Sequence, residues 1–234
     1  MLDTSTPNLA RAYDYLLGGG AHFAADRALA GRLLSLYPRT GELLIASRTY
    51  VAGSLEQVAR QGVDQFADIG SGLPTRPSTH ETVRRVSPRS RVVYVDHDPA
   101  VIRHAATLVP PGVRVTDGDL AEPEAILDAL SGPAPIDLSR PVCLVLAMVL
   151  QVLDPSAARA IVGVLVRALA PGSYLIVSVG EGDAGRLPDA VAPGGFAPED
   201  VAFLFAGLDM APPGVRPGPV LCATGRKPAG PARG

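Results

Sequence analysis

The part of the sequence best suited to chemistry is the segment Asp68-Ile69-Gly70-Ser71-Gly72, which ends a short apolar run. Glycines at the carboxyl end of a buried parallel strand let the backbone approach a ligand closely, because no Cβ stands in the way. Asp68 adds a carboxylate that can accept hydrogen bonds from a cationic group. The segment predicts a ligand site at the strand end, with Gly70, Ser71 and Gly72 beneath the ligand.

Acidic residues also end the next two predicted strands. Asp96 closes the run 91–96 and lies 24 residues beyond Gly72, where doubly wound nucleotide-binding folds place the acid that binds the ribose hydroxyls. Asp119 follows the third strand. Three successive strands therefore deliver an acid to one edge of the sheet. Asp98, in contrast, precedes Pro99 and is predicted to cap a helix.

The residues after the glycines indicate which nucleotide fits. A dinucleotide fingerprint needs a third small residue at its sixth position and a free helix amino terminus facing the pyrophosphate. Residues 70–75 read GSGLPT, so Pro74 and Thr75 lie where that helix should open. An acid directly before the glycines also repels pyrophosphate, whereas it suits an ammonium or sulfonium group. The pattern favours S-adenosylmethionine over NAD.

The elements that must position these residues change character once along the chain. Helical periodicity runs from Leu9 to about Arg60, and after Gly62 short β-rich runs alternate with helical ones, which is typical of a mostly parallel, doubly wound α/β sheet. The three early helices are predicted at 9–17, 23–36 and 43–58. The strands are predicted at 65–69, 91–96, 113–116, 142–146 and 173–179, with 208–211 and 219–224 forming an antiparallel hairpin. The later helices are predicted at 79–86, 99–108, 123–130, 155–169 and 198–206.

This pattern divides the chain into three predicted segments. Residues 1–62 form an amino-terminal helical lid, residues 63–226 form the Rossmann-like core, and residues 227–234 form a flexible tail. His104 is expected to face solvent on its helix.

Composition excludes several classes of protein. The 234 residues are 47% apolar and 19% charged, and 21 Lys and Arg against 23 Asp and Glu give a net charge of -2, so nothing favours a nucleic-acid partner. The longest apolar run, 142–153, is shorter than the roughly 20 residues that cross a membrane. The first residues lack the features of a secretory signal, and two cysteines without ligand spacing predict no metal site. The expectation is a cytoplasmic protein without a membrane partner.

Several motifs together resemble a known family. The chain is similar to the actinobacterial S-adenosylmethionine-dependent methyltransferases that were long classified as a domain of unknown function, and the likeness covers nearly the whole sequence. It is carried by the segments ARAYDYLLGG (10–19), FAADR (23–27), FADIGSGLPT (66–75), HE (80–81), VVYVD (92–96), DP (98–99), GDL (118–120) and LAPGSYL (169–175). The first segment and the GLPT continuation are specific to that family.

The resemblance implies a class I methyltransferase fold, a seven-stranded and mostly parallel sheet, with S-adenosylmethionine as cofactor. It implies Gly70 and Gly72 under the methionine part, Asp68 near its amino group and Asp96 on the ribose. The remaining residues expected at the cofactor lie at the adenine, in the lid and after the fourth strand, and they are Asp119, Leu120, His97, Tyr13, Tyr15, Gly18, Gly19, Ala147 and Met148.

The chain also departs from the family pattern beside the expected acceptor. Relatives commonly read GGKDNF where residues 18–23 read GGGAHF, a family histidine is Gln151 here, and the stretch 182–198 is short. If a general base is used, His22 and His80 are the candidates, since a neutral imidazole accepts a proton near pH 7. For His80 the alternative is packing or helix capping beside Glu81. Gln151, with Met148, is expected to line the acceptor floor.

Three functions follow from these observations. The first is methylation of a small molecule, plausible in secondary metabolism. The second keeps the fold but moves the chemistry to cyclisation or elimination, because of Gly20, Gln151 and the short acceptor region. The third is a non-catalytic subunit that binds the cofactor within a hetero-complex. As partners of the chain, either a second copy in a homodimer or a different subunit in a hetero-complex is expected. A nucleic-acid methyltransferase is not expected, since residues 146–149 read LAMV rather than an Asn-Pro-Pro-Tyr-like motif.

Overall fold

The protein is an α/β domain built on one seven-stranded sheet, and the computed structural model describes residues 3–132, 136–181, 195–218 and 220–229. The α-helices of these residues are α1 (Leu9–Leu16), α2 (Ala24–Leu36), α3 (Thr40–Arg60), α4 (Thr79–Val86), α5 (Pro99–Leu108), α6 (Pro123–Ser131), α7 (Pro155–Ala168) and α8 (Pro198–Leu204). The strands are β1 (Gln65–Ile69), β2 (Arg91–Asp96), β3 (Val113–Asp117), β4 (Cys143–Ala147), β5 (Tyr174–Gly180), β6 (Asp209–Met210) and β7 (Val220–Arg226).

The strand order is β3-β2-β1-β4-β5-β7-β6. Neighbouring strands from β3 to β5 pair in parallel, whereas β7 pairs antiparallel with β5 and with the short β6. This order confirms the predicted fold class. Because the chain reverses its direction of winding between β1 and β4, a crevice forms outside the carboxyl ends of these two strands.

Helices cover both faces of the sheet, which explains why the central strands are nearly continuous apolar runs. On one face α3 places Val51 and Leu55 against Phe66 of β1, and on the other α7 places Leu165 against Leu144 of β4. Burying each such side chain contributes about 1.5–3 kcal/mol. Part of the predicted lid, the helix α3, is therefore a layer of the core, and the division at residue 62 stays a prediction.

Local caps set the starts of the helices around the crevice. Asp98 accepts a hydrogen bond from the Ala100 amide at 2.7 Å, with Pro99 in the first turn, as the sequence predicted. Ser78 caps α4, and the Glu81 side chain accepts a hydrogen bond from the Ser78 amide in return. These caps fix where α4 and α5 begin, and so fix the loops that follow β1 and β2.

At the carboxyl end, Lys227 is anchored rather than frayed. Its ammonium donates to the carbonyl oxygens of Val166, Arg167 and Leu169 at 2.7–3.1 Å, which satisfies the last carbonyls of α7. The apolar pattern of the sequence contained no signal for this cationic helix cap, and the predicted flexible tail 227–234 stays a prediction. The predicted antiparallel hairpin is present, but its first strand, β6, has only two residues.

Candidate functional site

A cavity of about 380 Å³ occupies the crevice at the carboxyl ends of β1, β2 and β4. Its floor is the loop after β1, one wall is the loop after β2, and α1 with one face of α3 forms the roof. The predicted site residues that line it are Tyr13, Asp68, Gly70, Ser71, Gly72, Asp96, His97, Ala147 and Met148. The structure thus brings nine residues from distant parts of the sequence to one cavity.

The glycine loop has a conformation that only glycine adopts without strain. Gly70 and Gly72 have φ angles of +65° and +58°. A Cβ on Gly70 would overlap the side chain of Val149, and one on Gly72 would lie 3.3 Å from Cβ of Ala10 in α1. The absence of a Cβ therefore lets Val149 pack directly against Gly70 and lets α1 lie close to Gly72.

Asp68 is a buried carboxylate at the end of β1, with a relative exposure of 4%. The Thr79 hydroxyl donates to its Oδ2 at 2.6 Å. Burial raises the pKa of Asp68 to about 6, although the Thr79 hydrogen bond and the Arg48 charge act in the opposite direction. A cationic ligand group beside this buried carboxyl would stabilise its charged form.

Asp96 joins the glycine loop to the loop after β2. Its Oδ2 accepts a hydrogen bond from the Gly72 amide at 2.9 Å, and its Oδ1 accepts one from the Asp98 amide at 3.0 Å. Each carboxylate oxygen has a further lone pair. Asp96 therefore shapes the floor and keeps capacity to accept from a pair of ligand hydroxyls.

The roof is fixed by two buried carboxylates of the amino-terminal segment. Asp26 is fully buried and accepts hydrogen bonds from the Asn8 amide, the Phe23 amide and Arg11 Nε, each at 2.8 Å. The Asn8 side chain also donates to Asp98 Oδ2 at 2.7 Å. These bonds hold the start of α1 over the β2 loop.

The other end of the roof is held by Asp14. It accepts from the Thr75 hydroxyl and from the Ala21 amide, both at 2.7 Å. Gly19 lies against this carboxylate, and any Cβ at Gly19 would overlap it. The glycine segment after α1 is therefore needed for packing, and the GLPT loop is tied to the roof through Thr75.

The end of β4 forms the apolar side of the cavity. Met148 has a φ of +53°, an uncommon conformation for a residue with a side chain. Gln151 is buried and donates from Nε2 to the Met148 carbonyl at 2.7 Å, while its Oε1 has no partner among the described residues. Tyr13 lies beside Gln151, and burial raises the pKa of Tyr13 to about 12. The phenol is therefore neutral at physiological pH.

Three other predicted residues line a second cleft of about 590 Å³ rather than the main cavity. Gly18, Gly19 and His80 line this cleft, which Asp14 and Thr75 separate from the cavity. His22 does not line the main cavity, and its ring packs edge-on against Tyr15, which is 40% exposed. The structure does not bring His22 or Tyr15 to the cavity.

The two other histidines of the region have packing contacts. His80 Nδ1 lies 2.9 Å from the Tyr94 hydroxyl, and burial lowers the pKa of His80. These contacts match the packing alternative for His80, while Ser78 supplies the helix cap. His104 stacks on Phe23 with ring centroids 6.2 Å apart, so the expectation that it faces solvent is wrong. The lid covers that face of α5, which helical periodicity alone does not reveal.

Residues expected at an adenine lie at the outer end of the cavity or beyond it. The His97 side chain lines the cavity mouth but is 73% exposed. Asp119 is exposed and caps its own loop by accepting from the Ala121 amide at 2.9 Å, and Leu120 belongs to the apolar core. Neither Asp119 nor Leu120 lines the cavity.

Several cavity residues were not found from the sequence. Leu44, Ser47 and Arg48 lie on one face of α3 and line the roof, and Asn8 and Asp98 line the opposite wall. The spacing of the α3 residues, three and four apart, was a usable signal for one helix face. The sequence of α3 alone contained no signal for which of its faces would line the cavity.

Neither a metal-ligand cluster nor a membrane-spanning helix is found in the described part of the chain. No group of three or more His, Cys, Asp or Glu residues there is arranged to hold a metal ion. No helix there is long and apolar enough to cross a membrane. Cys143 and Cys222 are both free and buried.

The sheet order, the glycine floor and the acid after β2 define the class I methyltransferase fold. A family model described as S-adenosyl methyltransferase matches residues 1–221, and the chain therefore belongs to this family. Its cofactor is S-adenosylmethionine, and the enzyme class is the methyltransferases. None of the curated proteins matched the chain in sequence.

Solved structures agree with this assignment. A methyltransferase candidate from Thermobifida fusca is 35% identical, with a TM-score of 0.85 over 97% of each chain. A DUF574 family protein from Streptomyces avermitilis is 29% identical, with a TM-score of 0.82 over 97% of this chain and 100% of that chain. The N-methyltransferase NodS from Bradyrhizobium japonicum, 16% identical with a TM-score of 0.52 over 79% and 98% of the chains, shares the fold.

Proposed function

We propose that the protein transfers a methyl group from S-adenosylmethionine to a small organic acceptor bound under α1. The observation that carries the proposal is the cavity itself. It joins a buried carboxylate, a glycine floor and the Asp96 carboxylate on one side to the apolar end of β4 on the other. We place the protein in the cytoplasm and its acceptor in secondary metabolism as parts of the same proposal.

The chain's own residues fit the cofactor. The backbone of Gly70, Ser71 and Gly72 lines the cavity, which suits the close approach of the methionine part. Asp68 suits the amino group because it is a buried acid that gains from a cationic partner. Asp96 suits the ribose hydroxyls, and His97 with Val101 lies where the base would leave the cavity. Bound S-adenosylmethionine supplies an electrophilic methyl group on a sulfonium.

The contribution of the protein to such a reaction is position and exclusion of water. Methyl transfer is an in-line displacement, so the acceptor must be held within about 3–3.5 Å of the methyl group. We assign this task to the apolar surface of Leu17, Met148 and Val152, with α1 closing over it. Tyr13 keeps its proton near neutral pH because its pKa is about 12. In this site it orients the acceptor through a hydrogen bond and does not remove the acceptor's proton.

A turnover assay tests the proposal. The full chain is incubated with S-adenosylmethionine carrying a labelled methyl group and with a panel of small phenols, amines and carboxylic acids. The proposal predicts label in an acceptor together with an equal amount of S-adenosylhomocysteine, and it predicts loss of both with Asp96→Ala.

The alternatives give different results in the same assay. Conversion of a compound without label transfer, retained after the cofactor is removed, would contradict methylation and favour cyclisation or elimination. Tight cofactor binding with no turnover on the panel, and co-purification with a second protein, would favour the non-catalytic subunit.

A further inference from the structure

Arg48 is a cation on the α3 part of the roof, and the proposed roles do not use it. It lies on the same face of α3 as Leu44 and Ser47, half-buried at the border of the cavity. Its Nη2 donates to the Thr75 carbonyl at 3.3 Å, a long hydrogen bond. The Thr75 hydroxyl is bonded in turn to Asp14 of the roof. The guanidinium is therefore held in place by the loop that follows the glycines.

The hydrogen-bonding capacity of Arg48 is only partly used. Its Nε is buried and has no hydrogen-bond partner in the part of the chain that the structure describes. No carboxylate there forms a salt bridge with it. A buried donor on a charged group is costly to leave unpaired, and a guanidinium presents its donors in a fork that matches a carboxylate. These features indicate an anionic ligand group in the cavity beside Arg48.

Asp68 supplies the opposite charge in the same cavity. The Arg48 charge acts on the Asp68 carboxylate, yet the two side chains do not form a salt bridge with each other. A cation and an anion that share a cavity without neutralising each other complement a zwitterion, in which an ammonium and a carboxylate are close together. The amino acid end of S-adenosylmethionine is such a group.

We infer that Arg48 binds the carboxylate of the cofactor's methionine part and forms, with Asp68, a receptor for its zwitterionic end. This inference rests on the proposed function and extends it to a residue of α3 that lies outside the strand-end motifs. The bond from Arg48 to Thr75, and from Thr75 to Asp14, also connects this receptor to the roof helix. Binding of the amino acid end is thereby coupled to the position of α1.

The test compares two ligands that differ only at that end. S-adenosylhomocysteine carries the amino acid group, and 5′-methylthioadenosine lacks it. Both are titrated by calorimetry into the full chain and into Arg48→Met, Arg48→Lys and Arg60→Met. Arg60 is the matched control, because it is an exposed arginine on the same helix.

The expected result is selective. Arg48→Met weakens S-adenosylhomocysteine binding about 10- to 100-fold and changes 5′-methylthioadenosine binding less than about threefold. Arg48→Lys keeps the charge but loses the fork, so its affinity is intermediate. Arg60→Met binds both ligands like the unmodified chain.

Other results overturn the inference in distinguishable ways. Equal weakening of both ligands by Arg48→Met would assign Arg48 a structural role, and unchanged binding of both would assign it none. In either case the proposed function stands if the unmodified chain binds S-adenosylhomocysteine. Failure of the unmodified chain to bind either ligand would overturn the inference and the proposed function together.

Discussion

The acids at the strand ends show how the environment of a single residue sets its chemistry. Asp68 and Asp96 are both buried carboxylates after parallel strands, but their partners differ. Asp96 accepts from two backbone amides, whereas Asp68 accepts from one hydroxyl and burial raises its pKa to about 6. Asp68 is thus the carboxylate that gains most from a cationic ligand group.

This difference predicts a pH dependence of cofactor binding. Below pH 6 the unliganded Asp68 is protonated and loses its attraction for an ammonium, so affinity falls as the charged fraction falls. We expect S-adenosylhomocysteine to bind about tenfold more weakly at pH 5 than at pH 7. Calorimetry across this range measures the effect. Asp68→Asn should bind weakly at both pH values, and an equally steep pH dependence in that variant would exclude Asp68 as the cause.

At the scale of elements, the glycine floor and the roof of the cavity are held in place by different interactions. The floor depends on backbone conformation, and it is tested by Gly70→Ala against Gly53→Ala. A Cβ at Gly70 meets Val149 at a positive φ, while one at Gly53 in α3 meets no atom within 4 Å. We expect Gly70→Ala to lower the free energy of unfolding by about 1–3 kcal/mol and to abolish measurable cofactor binding.

The control should behave in the opposite way. Gly53→Ala replaces a glycine inside a helix, so the free energy of unfolding should rise by about 0.5–1 kcal/mol with unchanged binding. Urea unfolding and calorimetry measure both quantities. Normal binding by Gly70→Ala would mean that the ligand does not approach this loop.

The roof depends on a buried ion pair. Asp26 holds Arg11 and the starts of α1 and α2, and removal of one partner of such a pair typically costs about 3–5 kcal/mol. Asp26→Ala should therefore lower the free energy of unfolding by about 3 kcal/mol and weaken cofactor binding. Glu42→Gln, at an exposed pair, should change neither. A stable and fully binding Asp26→Ala chain would show that α1 does not need this anchor.

Local signals explain which elements the sequence predicts well. The bounds of α4 and α5 match the prediction because Ser78, Asp98 and Pro99 are caps that act within one turn. The fold class was predictable because alternation of strands and helices restricts the topology. The cavity role of Arg48, the packing of His104 and the anchoring of Lys227 depend on contacts between distant segments, for which the local pattern contains no signal.

At the scale of the whole molecule, the main cavity and the second cleft share a wall made by α1 and the loop after the glycines. Asp14 and Thr75 lie in the walls of both. A ligand in the cavity should therefore order α1 and the loop 70–78 together. We expect S-adenosylhomocysteine to slow amide hydrogen exchange in both segments, and to leave the core strand β5 unchanged. Slower exchange in the loop alone would contradict the role of α1 as a roof.

The central claim is that the cavity between β1, β2 and α1 holds S-adenosylmethionine. The most direct measurement is calorimetric titration of the chain with S-adenosylmethionine and S-adenosylhomocysteine, beside Asp96→Ala. We predict one binding site per chain for each ligand, with affinity at least about 100-fold lower in Asp96→Ala because two buried hydrogen bonds to the ribose are lost. Absence of binding by the folded chain, or equal affinity in the variant, would contradict the claim.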